Sequence, residues 1–192
     1  MLDLSLTTEL EAVNLMLAGI GESPVNQFDG QFVDAEIARK LLNQQMRSVQ
    51  VQGWSWNTDY TVTIPPDVEG KINIGNTALL VVTEDPNLVQ RGDYIYDRTR
   101  RAIDGFTSPV NFKKIVNLLA FEDCPESFRT YVTVKASRLF QDRMGGEQSL
   151  HTFMERDERQ AWANLQNYEA EVAQLNLFDT LQLSQRMKGN RP

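Results

Sequence analysis

Few residues of this chain have the types and spacing that catalysis needs. There is one histidine, His151, and one cysteine, Cys124. A nucleophile needs a base beside it, and a single cysteine can form neither an internal disulfide nor a thiolate cluster. The motifs G-x-S-x-G, H-E-x-x-H, C-x-x-C and G-x-x-x-x-G-K-[ST] are absent from the sequence. We therefore expect no catalytic triad, no metal site and no bound cofactor.

Paired carboxylates offer another possible chemistry. Glycoside hydrolysis requires two carboxyl groups at a suitable separation across a cleft. Five acidic residues are candidates: Asp93, Asp97, Glu122, Asp123 and Glu126. Asp123 and Glu126 also suit the start of a helix, where acidic side chains cap the backbone and meet a favourable field. We interpret those two as structural and keep a polysaccharide or cell-wall hydrolase as the alternative function.

Two short patterns have structural explanations that compete with functional ones. The triplet Arg91-Gly92-Asp93 could suggest integrin binding, but Gly92 predicts a turn before a strand at 94–97. Residues 155–159 interleave acidic and basic side chains at spacings that suit pairing within one helix. We interpret the first pattern as a turn and the second as a solvated helix face.

The composition is that of one folded domain. The chain has 192 residues, of which 41% are hydrophobic and 23% charged. No apolar run approaches the ~20 residues that span a bilayer, and the first residues lack the features of a signal peptide. We expect a soluble protein that is not processed for export. Acidic residues outnumber basic ones, 26 to 19, so the net charge is −7, which disfavours tight DNA binding and suits either solubility or a DNA conduit.

Two amphipathic helices are predicted near the N-terminus. Thr8 and Glu11 have the spacing of a capping box, and Gly19 or Gly21 would end the first helix. Its apolar stripe is Leu10, Val13, Leu17 and Ile20. The second helix is predicted over 33–53 from residues that recur every three or four positions: Val33, Ile37, Ala38, Leu41, Leu42, Gln45 and Val49.

At Trp54 the period changes to two, which predicts a strand over 54–64 that ends at Pro65-Pro66. Trp54 and Trp56 would share a face of this strand, either in the sheet core or at an interface with another subunit. Turn residues separate further short strands, predicted at 71–74, 78–83, 94–97 and 112–119. The middle third therefore predicts a small antiparallel sheet.

Two more helices are predicted after the sheet. The third would begin with Asp123 as its cap and Pro125 in its first turn, and would end at Gly145-Gly146. Its stripe is Phe128, Tyr131, Val132, Leu139 and Phe140. The fourth is predicted over 147–175, with the seam Ala161, Leu165, Tyr168, Val172 and Leu175. Residues 177–192 would be an arm ordered by a neighbouring protein, or else a frayed terminus.

Together these elements predict an α+β protein that is mainly α, in a single domain over 1–192. Helices can bury their stripes only by packing together, so we expect a four-helix bundle formed by 8–53 and 122–176. A small antiparallel β-sheet, 54–121, would be inserted into the bundle, and 177–192 would be a C-terminal arm.

Several blocks of sequence carry a family resemblance. Residues 12–25 read A-V-N-L-M-L-A-G-I-G-E-S-P-V, which resembles the pattern A-V-N-x-x-L-x-x-I-G-E-x-P-V of the phage tail tubular protein A family. The similarity continues in order through 35–42, 47–57, 64–67, 94–99 and 124–140, and it covers about residues 8–175. Several ordered blocks together are far more specific than any one of them.

The resemblance implies a structural virion protein with a head-tail adaptor-like fold and no enzymatic activity. Such proteins form a dodecameric ring between the portal and the nozzle (tail tubular protein B) of a short-tailed bacteriophage. The ring contributes to the conduit for DNA ejection and to the platform for the tail fibre protein. Genomic DNA would pass through the lumen without specific binding; a DNA-binding assembly factor is a further alternative that the negative charge disfavours. The protein would reside in the virion tail after assembly in the host cytoplasm.

On this hypothesis we expect two groups of contact residues. The β-rich part would contact the nozzle or the fibres, and the C-terminal arm would dock on the portal. The candidate residues in the β-rich part are Trp54, Trp56, Tyr94 and Tyr96. The candidate residues in the C-terminal arm are Leu177, Phe178, Arg186, Lys188 and Arg191.

Overall fold

The structure, a computed structural model, describes the backbone of residues 5–144 and 148–189 and the side chains of 5–144 and 153–173. It has four α-helices and two small antiparallel sheets, which confirms the predicted α+β class. The elements in chain order are α1 (Glu9–Ala18), α2 (Val33–Gln50), β1 (Thr58–Ile64), β2 (Ala78–Thr83), β3 (Leu88–Arg91), β4 (Tyr94–Asp97), β5 (Val110–Asn117), a 3₁₀ turn (Phe121–Asp123), α3 (Glu126–Arg143) and α4 (Gln148–Gly189).

The chain divides into two compact units. The helical unit comprises Met1–Gln45 and Cys124–Pro192, and the β unit comprises Met46–Asp123. The sequence predicted the corresponding boundaries at 53/54 and 121/122. Its assignment of all 192 residues to one adaptor domain stays a prediction.

Helix α1 begins as predicted. The Thr8 hydroxyl accepts a hydrogen bond from the Glu11 backbone N–H at 3.2 Å, and the Glu11 carboxylate accepts one from the Thr8 N–H at 2.7 Å. This reciprocal capping box satisfies two backbone donors that the first turn leaves without helical partners. The residues that α1 buries are Ala12, Val13, Met16 and Leu17, so only part of the predicted stripe is fully covered.

Helix α2 starts at Val33, as predicted, and ends at Gln50. Its central and C-terminal turns bury their apolar side chains, but Val33 and Ile37 are exposed. The prediction that these two residues belong to the buried stripe was therefore wrong. An apolar period marks a helix face, but the period does not say how much of that face a neighbouring element covers.

Helix α3 packs against both α1 and α4. Four predicted stripe residues of α3, Phe128, Tyr131, Val132 and Phe140, are buried, and Leu139 is half-buried. The predicted cap was wrong: Pro125 is the N-cap and makes no side-chain capping bond, and Asp123 lies in the preceding 3₁₀ turn. Proline suits this position because its fixed φ is compatible with the helix start.

Helix α4 continues well past its predicted end near residue 175 and reaches Gly189. Ala161 and Leu165 of the predicted seam are buried, and Tyr168 and Val172 are half-buried. The side chain of Leu175 lies outside the described residues. The part of the predicted arm over 177–189 is therefore helical in its backbone.

The β unit contains two sheets rather than the one predicted. In the first, β5 lies between β1 and β2 and is antiparallel to both; in the second, β3 and β4 form a hairpin. Strands β2 and β4 have the bounds that the sequence predicted, whereas β3 was missed. The predicted strand over 71–74 makes only a single bridge, between Asn73 and Tyr94.

Strand β1 begins at Thr58, so placing Trp54 and Trp56 on this strand was wrong. Residues 55–57 form a turn instead. Strand β5 starts two residues before its prediction, at Val110, and ends at Asn117. The core of the β unit consists of Ile72, Ile74, Ile95, Val110, Phe112 and Ile115.

Candidate assembly surfaces

The start of α2 carries an exposed apolar cluster. Relative exposure is 54% for Phe32, 68% for Val33 and 39% for Ile37. Val33 and Ile37 are one helical turn apart and share a face. Residues 26–38 contain three acidic residues, Asp29, Asp34 and Glu36, and no basic residue. We name Phe32, Val33, Asp34, Glu36 and Ile37 the acidic patch.

An exposed phenylalanine lies on α4. Phe153 is 66% exposed and lines a depression of about 580 Å³ together with Arg156, Arg159 and Gln160. Phe153, Arg156 and Gln160 follow the i, i+3, i+7 spacing of one helix face. Arg159 forms an i, i+4 ion pair with Glu155 at 3.7 Å, as the interleaved charges predicted. We name the four lining residues the basic patch.

Helices α3 and α4 are joined by an ion pair that the sequence did not reveal. Arg138 donates from Nε to the Glu158 carboxylate at 2.6 Å and also lies 3.5 Å from Asp142. The hydrogen bond that Arg138 donates to Glu158 raises the pKa of this guanidinium. Beside this pair the rings of Tyr131 and Trp162 pack with centroids 4.9 Å apart, and burial raises the pKa of Tyr131. The basic patch is thus carried by a helix that is firmly attached to α3.

Another contact that the sequence did not reveal holds the N-terminal segment on α3. The Glu126 carboxylate accepts hydrogen bonds from the Thr7 hydroxyl at 2.5 Å and the Thr7 N–H at 3.0 Å. The buried Arg129 donates to the carbonyl groups of Thr7 and Cys124, both at 2.8 Å. Glu126 therefore has a structural role, as the sequence suggested, but it holds another segment rather than capping its own helix.

The hairpin of β3 and β4 places Tyr94 and Tyr96 on one face. The guanidinium carbon of Arg91 lies 3.4 Å from the centre of the Tyr96 ring, and Lys71 Nζ lies 5.8 Å from that of Tyr94. Both tyrosines are half-buried, while Ile95 between them is fully buried on the opposite face. Gly92 forms the predicted turn with φ of 59°. Arg91 of the R-G-D triplet thus stacks on a tyrosine of its own hairpin.

The two tryptophans predicted as contact residues differ in exposure. Trp54 is buried, and its indole N–H donates to the Val49 carbonyl at 2.9 Å. Trp56 is half-buried. The sequence left open whether Trp54 lies in the core or at an interface, and its burial fits the core.

The acidic residues considered for hydrolysis are engaged in other contacts or lie at the surface. Asp97 accepts hydrogen bonds from the backbone N–H groups of Thr99 and Arg100 and from Arg100 Nε, and the Arg100 guanidinium holds the pKa of Asp97 below its usual value. A carboxyl group with a lowered pKa is a poor proton donor near neutral pH. Asp93, Glu122 and Asp123 are exposed. Among the described residues, no group of three or more His, Cys, Asp or Glu side chains could hold a metal ion.

The remaining candidates are placed only in part. Leu177, Phe178, Arg186 and Lys188 lie on α4, but their side chains, like that of His151, are outside the described residues; Arg191 lies outside them altogether. Cys124 is buried. None of the helices that the structure describes is both long and apolar enough to cross a membrane.

Comparison with known proteins identifies the family. A model of the tail tubular protein family matches residues 10–175, which is most of the chain. The chain belongs to the tail tubular protein family. It is also 27% identical over 154 residues to tail tubular protein A of Klebsiella phage KP34, an alignment that covers 79% of this chain and 81% of the relative.

This tail tubular protein is therefore a structural component of a bacteriophage tail, as the sequence resemblance indicated. The matched residues include all of the β unit with its five strands and most of the helical unit. The match ends at residue 175, before the last fourteen residues of α4.

Proposed function

We propose that this protein forms a dodecameric ring between the portal and the nozzle of a short-tailed bacteriophage. The observation that carries the proposal is the family match over residues 10–175. The exposed apolar cluster of Phe32, Val33 and Ile37 on the helical unit supports it, because soluble monomers rarely expose large apolar surfaces without a function. The ring would form part of the DNA-ejection conduit and carry the tail fibres, and the protein would act without catalysis.

In this proposal α1–α4 form a four-helix bundle of the head-tail adaptor type, and neighbouring bundles pack side by side. Ion pairs support such packing within the helical unit: Glu9 on α1 binds Arg39 on α2 at 3.0 Å, and Arg138 on α3 binds Glu158 on α4. A contact between two different surfaces of identical subunits closes into a ring when the rotation between them allows it.

The β unit would contact the nozzle or the fibres through the face of Tyr94 and Tyr96. Tyrosine and arginine are enriched among the residues that contribute most to binding, and Arg91 is already ordered against Tyr96. Trp56, which is half-buried, remains a candidate beside them.

The C-terminal segment, residues 177–192, would dock on the portal. Its apolar start and basic end support this role, through Leu177, Phe178, Arg186, Lys188 and Arg191. A chain truncated after residue 176 should keep its fold by circular dichroism and lose binding to the portal in a pull-down. Normal portal binding by the truncated chain would contradict the assignment.

Charge supports a passive conduit. Twelve copies of a chain with net charge −7 carry about −84, and negative walls repel DNA phosphates. The protein would assemble in the reducing host cytoplasm, which is compatible with its single, buried thiol.

The deciding measurement is the mass of the purified protein, alone and with portal, by native mass spectrometry or light scattering. Twelve chains of 21.9 kDa give a ring of about 263 kDa. A species of that mass in either sample supports the proposal. A monomer in both samples, without association with portal, would refute it.

A tail-associated hydrolase remains the alternative, and nothing in the contacts of the described acidic residues favours it. Purified protein can be incubated with capsular polysaccharide and compared with a variant carrying Asp93→Asn and Asp97→Asn. We expect no depolymerisation by either protein. Cleavage by the original chain alone would establish the hydrolase.

A further inference from the structure

We propose that a groove between α1 and α2 binds the C-terminal segment, residues 177–192, of a second copy of this chain. The inference goes beyond the proposed function, which assigns the same segment to the portal. One segment cannot fill both sites at once, so the groove would hold it in chains that have not yet met the portal. The contact therefore needs no portal and can be tested on the purified protein.

The groove is lined by three parts of the helical unit: the last turn of α1, the loop that follows it and the first turn of α2. Its volume is about 190 Å³, which is below the range of small-molecule pockets and suits a few side chains of a partner. Leu17, Val25 and Ala35 contribute the buried part of its lining. The Asn14 side chain binds both backbone groups of Val25, at 2.8 and 2.9 Å, so this lining is held in place before a partner arrives.

The rim of the groove combines apolar and acidic side chains. Phe32 and Val33 line it and are more than half exposed. Glu22 and Asp34 line it as well, and within the described part of the chain neither carboxylate forms an ion pair. An arginine or lysine can lay its methylene stem along apolar surface while its charged end binds a carboxylate. The groove therefore fits a basic side chain with apolar neighbours.

The charge around the groove is negative even when its basic neighbours are counted. Residues 20–38 contain four acidic residues and no basic one. Arg39 and Lys40 follow, but Arg39 is bound to Glu9 at 3.0 Å. With Glu9 included, these five acidic and two basic residues leave a net charge of −3.

The C-terminal segment has the opposite charge. Residues 180–192 contain three basic residues and no acidic one, and residues 177–192, which include Asp179, carry a net charge of +2. The basic residues are Arg186, Lys188 and Arg191. Apolar residues lie among them and just before them: Leu181, Leu183 and Met187. Complementary charges fix the register of an interface and suppress incorrect pairings, so this segment matches the groove in both charge and apolar character.

Contacts along α3 place the groove at one end of the helical unit. Near the end of α3, Gln141 donates to the Gly19 carbonyl at 3.3 Å, and Gly19 lies between the groove residues Leu17 and Glu22. Near the start of α3, Arg129 donates to the Thr7 carbonyl at 2.8 Å. Helix α1 therefore runs in the same direction as α3, and the groove lies beside the C-terminal end of α3.

Helix α4 runs in the other direction. Glu158 binds Arg138 of α3, and Trp162 packs on Tyr131, which is closer to the start of α3. From Trp162 the backbone of α4 stays helical to Gly189, and at 1.5 Å per residue residue 186 lies about 36 Å farther along the helix. The segment thus leads away from the groove of its own chain. A second copy is the partner, and the contact is heterologous and links chains head to tail.

Charge reversal tests this contact in the full chain. A groove variant carries Glu22→Lys and Asp34→Lys, and a segment variant carries Arg186→Glu, Lys188→Glu and Arg191→Glu. In each variant alone, like charges meet wherever the segment of one chain approaches the groove of another. In an equimolar mixture, every groove can find a segment of opposite charge on a chain of the other kind.

Sedimentation velocity at low ionic strength measures self-association without portal. We expect each variant alone to need at least about tenfold more protein than the unchanged chain, because like charges then oppose the contact. The mixture should associate within about threefold of the concentration that the unchanged chain requires. The matched control carries Asp93→Lys and Asp104→Lys, at two exposed carboxylates of the β unit, and should associate like the unchanged chain.

Circular dichroism first establishes that the variants are folded. Normal self-association by either variant alone would overturn the contact, and so would a folded mixture that fails to associate or an unchanged chain that stays monomeric at every concentration. The groove variant should still bind portal, because the portal contact uses residues 177–192. If this folded variant loses portal binding instead, the groove belongs to the portal and not to a second copy. The mass of the unchanged chain with portal tests the proposed ring separately.

Discussion

The helical unit and the β unit satisfy their backbone polar groups in different ways. Helices α1 and α3 bond their own backbones, and side chains such as Thr8, Glu126 and Arg129 bind the segments at their ends. The β unit joins the end of α2 to short strands, and there buried side-chain amides supply the missing bonds. Buried amides thus hold the segments of the β unit together, whereas the helical unit depends on side chains at the ends of its helices and on single amides such as Asn14, which bonds both backbone groups of Val25.

Two amides form the centre of the β unit's polar network. The fully buried Gln50 side chain donates to the Leu119 carbonyl at 3.0 Å and accepts from the Leu119 N–H at 2.8 Å. The Asn57 side chain donates to the carbonyl groups of Gln50 and Asn117 at 3.0 and 2.9 Å and accepts from the Trp54 N–H at 2.8 Å. The amides thus join the C-terminal end of α2 to the turn before β1 and to the end of β5.

The largest expected loss of stability tests whether the two units unfold independently. Phe128→Ala in the helical unit and Phe112→Ala in the β unit should each lower the free energy of unfolding by about 3–5 kcal/mol, because each removes a buried ring. Hydrogen exchange should accelerate mainly in the unit that carries the substitution. The exposed Phe153→Ala is the control and should change stability by less than about 0.5 kcal/mol. Equal acceleration in both units would show that they unfold as one.

Asn57→Ala tests whether a buried amide contributes more to stability than a side chain at the end of a helix. It should cost about 2–4 kcal/mol, since it removes three side-chain hydrogen bonds to buried backbone groups, those of Gln50, Asn117 and Trp54. Urea denaturation followed by tryptophan fluorescence measures the loss. Asn76→Ala, at an exposed asparagine of the same unit, should be nearly neutral. If Asn57→Ala leaves the free energy of unfolding unchanged, the amide network does not stabilise the β unit.

A smaller effect is expected at the end of a helix. Thr8→Ala removes the hydroxyl half of the capping box and should cost about 1 kcal/mol of stability. Thr130→Ala, at an exposed position within α3, lacks a capping role and should not destabilise the chain. Thermal unfolding followed by circular dichroism compares the two. If Thr8→Ala lowers stability as much as Asn57→Ala does, helix ends and buried amides are equally important and the proposed difference between the units is wrong.

The smallest effect is a local dependence on pH in the β unit. Because Arg100 lowers the pKa of Asp97 below 3.8, the ionised carboxylate stabilises the folded loop at all pH values above 3.8. This contribution is lost as the pH falls below 3.8 through the lowered pKa of the folded state. Hydrogen exchange at the Thr99 and Arg100 amides should therefore rise, relative to its intrinsic rate, over that range. Asp97→Asn should abolish the change; if it persists, another group is responsible.

Local sequence signals predicted the elements that depend on local physics. The Thr8 and Glu11 spacing predicted the start of α1 correctly, and Gly92 predicted the turn before β4. The periodicity of α3 predicted most of its buried face. Strand β3 was missed because its four residues between two turns have little pattern of their own, and its pairing with β4 makes it a strand.

The candidate surfaces could be predicted only in part. The sequence correctly placed Tyr94 and Tyr96 on one strand, but it put Trp54 on a strand whereas the structure buries it before β1. It also assigned Val33 and Ile37 to a buried stripe, and it gave no sign that Phe153 would line an open depression. The exposure of a helix face depends on which other elements pack against it, and the periodic pattern of the helix does not contain that information.

The sequence by itself therefore determined the family, the α+β class and the positions of most helices and strands, because short-range capping, turn and periodicity rules act within a few residues of the chain. The tertiary structure decided which apolar residues remain uncovered and which charges pair. Glu126 binds Thr7 across 119 residues of sequence, and Arg138 finds Glu158 on a different helix. Such contacts depend on the packing of distant segments, and that packing leaves the acidic and basic patches exposed.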